Sequence, residues 1–451
     1  MQKRTLGKTG FSSSPLGFGT YRVNEAHPEH EKALLLALNL GVNLIDTSTN
    51  YEGGSAERLI GRVLKKWGRR DEVFVVTKAG YVQGDAMRVA RERIRDGKSF
   101  PEMIQLTQDL WHCIAPDFLS DQLTRSLDRL QLPQVDALLL HNPEYFLKKN
   151  GDHAEYYRRI RLAFEYLETE VASGRIRYYG ISSNSFPDAA ESEEFTSLQA
   201  ILEFAGPHFA LIQLPFNLLE GGGFLEENNF GKSVLTLAHE KNLGVLINRP
   251  LNAFHDRHLI RLASFPSHEN EDPSHDFKNA LRDGLAVEAK FQGHDFVEPS
   301  RVAWAHIIKD HLQKIDSIDQ WKEIQHYQAE PALENAYATL SKIPAQSAWV
   351  LLHRSAMNEV FSALTLELES RAALISRQIQ LALEKSSSSF NIQTSLSQQA
   401  LQVYLSLKEI SCVLVGMRNP NYVKDSIEGT ELKTLSREDV RESLLNAAKF
   451  L

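Results

Sequence analysis

Seven short runs of almost unbroken apolar residues punctuate this chain of 451 residues, and no other feature limits its fold so tightly. The runs cover residues 42–45, 73–77, 135–140, 176–180, 210–214, 244–247 and 412–415. A strand with one wet face alternates polar and apolar residues, whereas a strand covered on both faces does not. Helix-period stretches separate the runs; residues 33–40 read as one helix end, with Gly41 as its C-cap before the strand at 42–45. Repeated strand–helix units build a parallel sheet, and seven strands plus one unassigned approach closure. The expected fold class is therefore α/β, a (β/α)8 TIM barrel.

The opening differs in kind. Residues 3–11 hold a turn at Lys8–Gly10 between two short runs, as a small hairpin would, and a plug on the barrel bottom suits it. Two segments exceed what barrel loops need, residues 81–116 and 252–395. The second contains helix-period stretches at 330–341, 347–364 and 366–383, then a serine run at 386–389 that reads as a linker. The expected organisation is a barrel formed by 1–251 and 396–451, with 252–395 as a large helical insertion after the seventh strand, packed on the barrel or forming a small lobe of three or four helices. Length allows this, since such barrels with insertions run past ~400 residues.

Composition removes several function classes. Fifty-eight acidic against 50 basic residues give a net charge of −8, without the basic blocks of a nucleic-acid tail. Cys113 and Cys412 are too few and too far apart for a disulfide framework or zinc cluster, which points to a reducing compartment, the cytoplasm. No export signal and no ~18-residue apolar span is read. His112, His141 and His153 make no metal-ligand spacing, so the metal expectation is none.

Asp46, Tyr51, Lys78 and His141 fall at or just after the ends of successive strand runs. In a barrel of this kind the C-terminal strand ends form one face, which brings the four together. A phenol of ordinary pKa ~10 donates a proton to a carbonyl near neutrality only if its anion is stabilised, and a neighbouring ammonium does that. Lys78 supplies the charge, Asp46 holds Lys78 by an ion pair, and His141 orients the carbonyl oxygen. The set lacks a nucleophile; an external hydride donor completes it.

These residues resemble those of the aldo-keto reductases, (β/α)8 barrels that use a nicotinamide nucleotide. The family's Asp-Thr-x-x-x-Tyr stretch stands here as Asp46-Thr47-Ser48-Thr49-Asn50-Tyr51, its strand-end lysine as Lys78 and its Leu-x-His ending as Leu139-Leu140-His141. Gly17-Phe18-Gly19-Thr20-Tyr21 is similar to the element ending the first strand, whose backbone approaches the cofactor. The resemblance implies that Ser182, Ser183 or Asn184, and Gln213 hydrogen-bond the nicotinamide carboxamide and that Phe216 stacks on its ring; Ser183 stands where the family has Asn. It places Arg249, Pro250 and Leu251 at the pyrophosphate. Gly416 and Arg418 open the last helix, where Arg418 reads the 2′-phosphate, with Tyr422, Asp425 and Ser426 near the adenine.

The implied function is reduction of an aldehyde or ketone by hydride from NADPH (NADP, with NAD as the alternative), Tyr51 acting as general acid. The partners are a small carbonyl or alcohol substrate, with no nucleic acid and no membrane; oligomeric state is not readable. Tyr145 and Phe146, just past His141, either line a pocket or pack on the scaffold. The alternative function is a nucleotide-binding regulatory or assembly barrel that uses the insertion as its partner surface.

Overall fold

The computed structural model describes residues 1–255, 258–266, 272–291, 297–315 and 317–449. Eight parallel strands close into a barrel: β1 (Leu16–Gly19), β2 (Leu44–Asp46), β3 (Phe74–Ala79), β4 (Val135–His141), β5 (Ile176–Ser182), β6 (Phe209–Pro215), β7 (Gly244–Asn248) and β8 (Cys412–Val415). All seven runs read from the sequence are strands. The eighth, β1, has two glycines among its four residues, so it carried little apolar signal. Its glycine is required: a Cβ on Gly17 would lie 2.8 Å from a Leu414 methyl and 2.9 Å from the Cys412 sulfur.

The chain divides into two compact units, residues 1–253 with 383–449, and residues 254–382. β8 follows the second unit in sequence yet pairs with both β7 (Ile247↔Val413) and β1 (Leu16↔Val413). The α/β barrel with a helical insertion after the seventh strand is therefore the observed architecture. The insertion contains helices Pro273–Glu288, Trp304–His311, Ile318–Ile324 and Glu330–Leu340, and then the 43-residue helix Pro344–Ser386. That last helix replaces the two expected at 347–364 and 366–383. Neither Gly nor Pro separates them, and the Thr365 hydroxyl at the expected break donates back to the Phe361 carbonyl at 2.8 Å within the same helix. The unit has its own apolar core, centred on Trp321, Val360, Leu364 and Leu340. No helix among the described residues is long and apolar enough to cross a membrane.

The opening hairpin pairs Arg4–Thr5 with Ser12–Ser13 and drives Leu6 into the barrel floor, where it joins Leu44, Phe74, Leu139, Leu211, Leu246 and Leu414. The plug is tied down by Lys8 N–H donating to the Asn242 carbonyl at 2.7 Å and by the Arg4 guanidinium donating to the Leu407 and Ile410 carbonyls at 3.0 and 2.7 Å. Below the site, Glu57 is fully buried on helix Ser55–Trp67. It accepts from Thr77 (2.7 Å), Ser126 (2.6 Å) and Arg129 (2.6 Å), so one carboxylate ties two barrel helices to β3.

Truncating Leu6→Ala removes a fully buried side chain from a floor that cannot collapse around the gap. A loss of about 2–5 kcal/mol in unfolding free energy is expected, with the fold retained; chemical denaturation monitored by circular dichroism measures it.

Candidate active site

Each of the four expected residues reaches one end of the barrel through its own strand. Asp46 is the last residue of β2, Lys78 the penultimate residue of β3 and His141 the last of β4. Tyr51 comes from the turn after β2. There Glu52, Gly53 and Gly54 follow it with φ of 48°, 60° and 84°, a left-handed run that two glycines make tolerable. At Gly54 a Cβ would stand 2.6 Å from Arg129 Cδ, so any side chain there must displace an arginine held by Glu57.

Lys78 Nζ lies 2.7 Å from Asp46 Oδ2, 2.9 Å from the Thr47 carbonyl and 3.3 Å from the Tyr51 hydroxyl. Asp46 Oδ1 accepts from Gln213 Nε2 at 2.7 Å. Gln213 Oε1 in turn accepts from Ser182 (3.1 Å) and Asn248 (3.2 Å), at the ends of β5 and β7. His141 stands edge-on to Tyr51 with ring centroids 5.9 Å apart. Its Nδ1 lies 2.9 Å from Ser48 Oγ, while Nε2 has no hydrogen-bond partner among the described residues. The structure thus brings all four together.

Burial pulls the Lys78 ammonium down, but Asp46 and then Tyr51 outweigh it and hold Lys78 above the usual lysine range. His141 is held well below the histidine range by burial and then by Lys78 and His112, so its imidazole is neutral. The Tyr51 phenol is raised above 10, because burial outweighs the ammonium that favours the anion. The proton stays on the phenol in the resting site. Among the described residues no group of three His, Cys, Asp or Glu is placed to hold a metal ion.

The residues expected around a dinucleotide divide into two groups. Gly19, Thr20, Ser182 and Gln213 surround Asp46 or its strand end; Thr20 Oγ1 donates to the Asp46 carbonyl at 2.9 Å. Tyr21 is 66% exposed and meets Tyr51 edge-on at 5.3 Å. Gly416 is exposed just before helix Pro420–Gly429 and Tyr422 is exposed in its first turn; the helix N-cap Asn419 accepts from Asn421 N–H at 2.8 Å. The Arg418 charge acts on His30 of helix Pro28–Asn39.

The second group is engaged within the protein's own packing and hydrogen bonds. Ser183 is buried against Ser185 (3.2 Å) and Thr196 (3.3 Å), while Asn184 is exposed and its N–H donates to Glu144 at 2.8 Å. Phe216 is fully buried and edge-on to Tyr404 at 5.7 Å, leaving no ring face open for stacking. The cause is local. Asn217 Oδ1 accepts from Leu219 and Glu220 N–H at 3.0 and 2.9 Å, folding the following loop, and the Tyr404 hydroxyl accepts from Leu218 N–H and donates to the Pro250 carbonyl, each at 3.0 Å. Arg249, in a left-handed conformation (φ 53°), pairs with Glu220 at 2.7 Å, and Leu251 is half-buried. Asp425 accepts from Ser395 (3.2 Å), Ser397 (2.7 Å) and Gln398 (3.0 Å), and Ser426 donates to the Tyr422 carbonyl at 2.7 Å, so both serve helix packing.

Several residues at the site went unread. Tyr81, on a short strand of the small sheet within 81–112, stands edge-on to His141 at 4.6 Å and accepts from Asn142 Nδ2 at 2.8 Å. His112 Nε2 approaches the His141 carbonyl at 2.8 Å, and Tyr145 packs against both Tyr81 and His112. Phe146 is buried in the scaffold under Arg159. Nothing in the spacing marks Tyr81 or His112. Ser48 and Asn50, by contrast, lie inside the stretch already singled out.

The family model for the aldo/keto reductase family matches residues 15–315, about two thirds of the chain. The chain belongs to the aldo/keto reductase family. It is 23% identical over 253 residues to the aldo-keto reductase YhdN of Bacillus subtilis (strain 168), covering 55% of this chain and 61% of that protein. It is 29% identical over 186 residues to the uncharacterized oxidoreductase YqkF of the same organism, covering 41% of this chain and 49% of that one. The chain therefore matches less than two thirds of the length of these curated relatives. Among solved structures, aldo-keto reductase AKR11C1 from Bacillus halodurans (holo form) aligns over 99% of this chain and 96% of that chain, with a TM-score of 0.53 and 17% identity, a likeness of fold.

Glu144 is buried beside this site, and burial pushes its carboxyl up to about 7. A raised carboxyl stabilises the fold below its ordinary value and loses that contribution as pH rises through about 7. Thermal unfolding midpoints are expected to fall between about pH 5 and 8 in the wild type, and this part of the slope to vanish in Glu144→Gln.

Proposed function

We propose that this aldo/keto reductase reduces an aldehyde or ketone to the alcohol with NADPH, Tyr51 delivering the proton. The observation that carries the reading is the 3.3 Å approach of the Tyr51 hydroxyl to Lys78 Nζ, itself paired with Asp46 at 2.7 Å in a buried setting. A protonated phenol beside an ammonium is an acid whose anion meets a fixed positive charge as it forms, without reorganisation of water. Thr47 and Asp46 leave Lys78 little freedom to move away. His141, neutral and with Nε2 open, is the second polar group for the substrate oxygen.

The residues present suit a nicotinamide dinucleotide at two places. The helix Pro420–Gly429 offers its N-terminus to a phosphate, with Arg418 adjacent. A Cβ on Gly416 would meet nothing within 4 Å, so the backbone there has room beside it for a ligand. At the other end, Gln213 uses one N–H on Asp46 and keeps its second, and Ser182 keeps acceptor capacity, so both suit a carboxamide. A bound NADPH supplies the hydride; the chain holds the carbonyl, excludes water from Lys78 and gives the proton. The preference for NADPH over NADH rests on Arg418.

Three outcomes test this. Tyr51→Phe is expected to keep NADPH binding, read by tryptophan fluorescence quenching, while turnover of a broad aldehyde such as a nitrobenzaldehyde falls about 10²–10⁴-fold. Wild type that binds NADPH but turns over no carbonyl in a wide panel would refute the reductase reading. Because the phenol is raised and His141 is neutral, kcat for reduction is expected to stay level from about pH 6 to 9, and an alkaline-limb loss of proton donation within that window would contradict it. Arg418→Ala is expected to weaken NADPH and spare NADH; equal losses for both would defeat the assignment.

A further inference from the structure

A neutral imidazole carries one proton, so His141 can donate to a ligand through Nε2 only if Nδ1 is bare and receives a hydrogen bond. The group in reach of Nδ1 is the Ser48 hydroxyl at 2.9 Å. That hydroxyl has a single proton and two other acceptors within range, the Asn50 side-chain oxygen at 2.7 Å and the Lys78 carbonyl at 3.2 Å. Asn50 continues the line, its other amide atom lying 3.1 Å from the Gln83 side chain. With the Asn50 oxygen on Ser48, that oxygen is the shortest contact and competes for the proton. Turned half a revolution, the amide places its NH2 on Ser48 and its oxygen toward the Gln83 amide, which turns in the same way. Oxygen and nitrogen exchange places in both side chains with the heavy-atom spacings unchanged.

The two arrangements give opposite ring tautomers. In one, Ser48 donates to Asn50 and accepts from His141 Nδ1–H, which leaves Nε2 without a proton. In the other, Asn50 donates to Ser48, and the Ser48 hydroxyl donates its hydrogen bond to the bare His141 Nδ1. Only the second offers an N–H at the open Nε2, beside the Tyr51 ring and the Lys78 ammonium, where negative charge would gather.

We propose that Ser48, Asn50 and Gln83 form a hydrogen-bond relay that fixes His141 as the Nε2–H tautomer, Asn50 being the positioning residue that directs the Ser48 proton. The geometry sets the line of contacts, which suits either direction; the choice of the direction that protonates Nε2, and its effect on rate, rest on the reductase reading given above. The relay lies outside the four catalytic groups and uses two polar residues of the stretch between Asp46 and Tyr51 together with one from the segment after β3.

The test uses the full chain with 15N-labelled histidine. Long-range proton–nitrogen correlation spectra show which ring nitrogen carries the proton, and the His141 signals are assigned by their loss in His141→Gln. The expected result is a proton on Nε2 in the wild type and on Nδ1 in Asn50→Asp, because a carboxylate only accepts and draws the Ser48 proton away. A wild-type proton on Nδ1, or an Nε2 proton retained in Asn50→Asp, overturns the proposal. If Asn50→Asp fails to fold, Gln83→Glu serves instead: an acceptor-only side chain there turns the Asn50 NH2 toward it and the Asn50 oxygen back onto Ser48, moving the proton the same way. In turnover, Asn50→Asp is expected to lose roughly tenfold to hundredfold in kcat, a range bounded by the loss of one transition-state donor, with NADPH affinity unchanged. It should lose more than Asn50→Ala, which leaves Ser48 its proton, and Ser48→Thr should recover what Ser48→Ala loses. A merely structural Asn50 predicts the reverse order, and that order would also overturn the proposal. If no carbonyl is turned over, the spectra still decide the tautomer while the reductase reading falls by itself.

Discussion

A lysine with no exposed surface survives inside this barrel because a carboxylate stands 2.7 Å from its nitrogen. Removing either charge from water costs several kcal/mol, which attraction offsets only when geometry is good and the remaining hydrogen-bonding capacity is used. Both conditions hold. Lys78 also donates to the Thr47 carbonyl, and Asp46 takes a second bond from Gln213. Gln213 is held by Ser182 and Asn248, so the pair is braced by the ends of β5, β6 and β7 as well as by its own strands. The rest of the site is arranged around that fixed charge.

Two opposing effects act on the phenol beside it. The ammonium favours the anion, and the same lack of water that strengthens the ammonium disfavours it. Burial prevails, so the site at rest stores a proton instead of a phenolate. In the proposed reduction, the ammonium's influence is felt when charge starts to move onto the phenol oxygen. The imidazole is governed by the same neighbour, since Lys78 and burial together keep His141 neutral and make its choice of ring nitrogen a matter of hydrogen bonding.

Much of this was legible in the chain because it is local. Strands covered on both faces are apolar throughout, and seven of the eight announce themselves; Leu16–Gly19 does not, since glycines chosen for close packing carry no hydropathy signal. Asp46, Tyr51, Lys78 and His141 are legible because strand ends converge in a closed barrel whatever the sequence distance between them. What stayed hidden depends on tertiary packing. Tyr81 meets His141 only through a small sheet whose strands have two residues each. Phe216 matches its motif and is nevertheless covered, because an asparagine turn and the distant Tyr404 fold the next loop over it. The unbroken 43-residue helix was divided at a threonine whose hydroxyl simply bonds back to the turn before it.

The position of β8 has a consequence for biogenesis. Val245 and Ser411 share a hydrogen bond across 166 residues of chain, and Leu16 on the far side waits for the same late segment. A ribosome therefore releases seven strands, with β1 and β7 both presenting unsatisfied backbone edges, well before the piece that seals them is made. Such edges invite pairing with other nascent chains. Entropy alone penalises so wide a closure only modestly, at about 0.6 kcal/mol for each doubling of the intervening length. The hazard is thus one of timing, and a compact intervening unit with its own hydrophobic centre shortens the slack that must be gathered in.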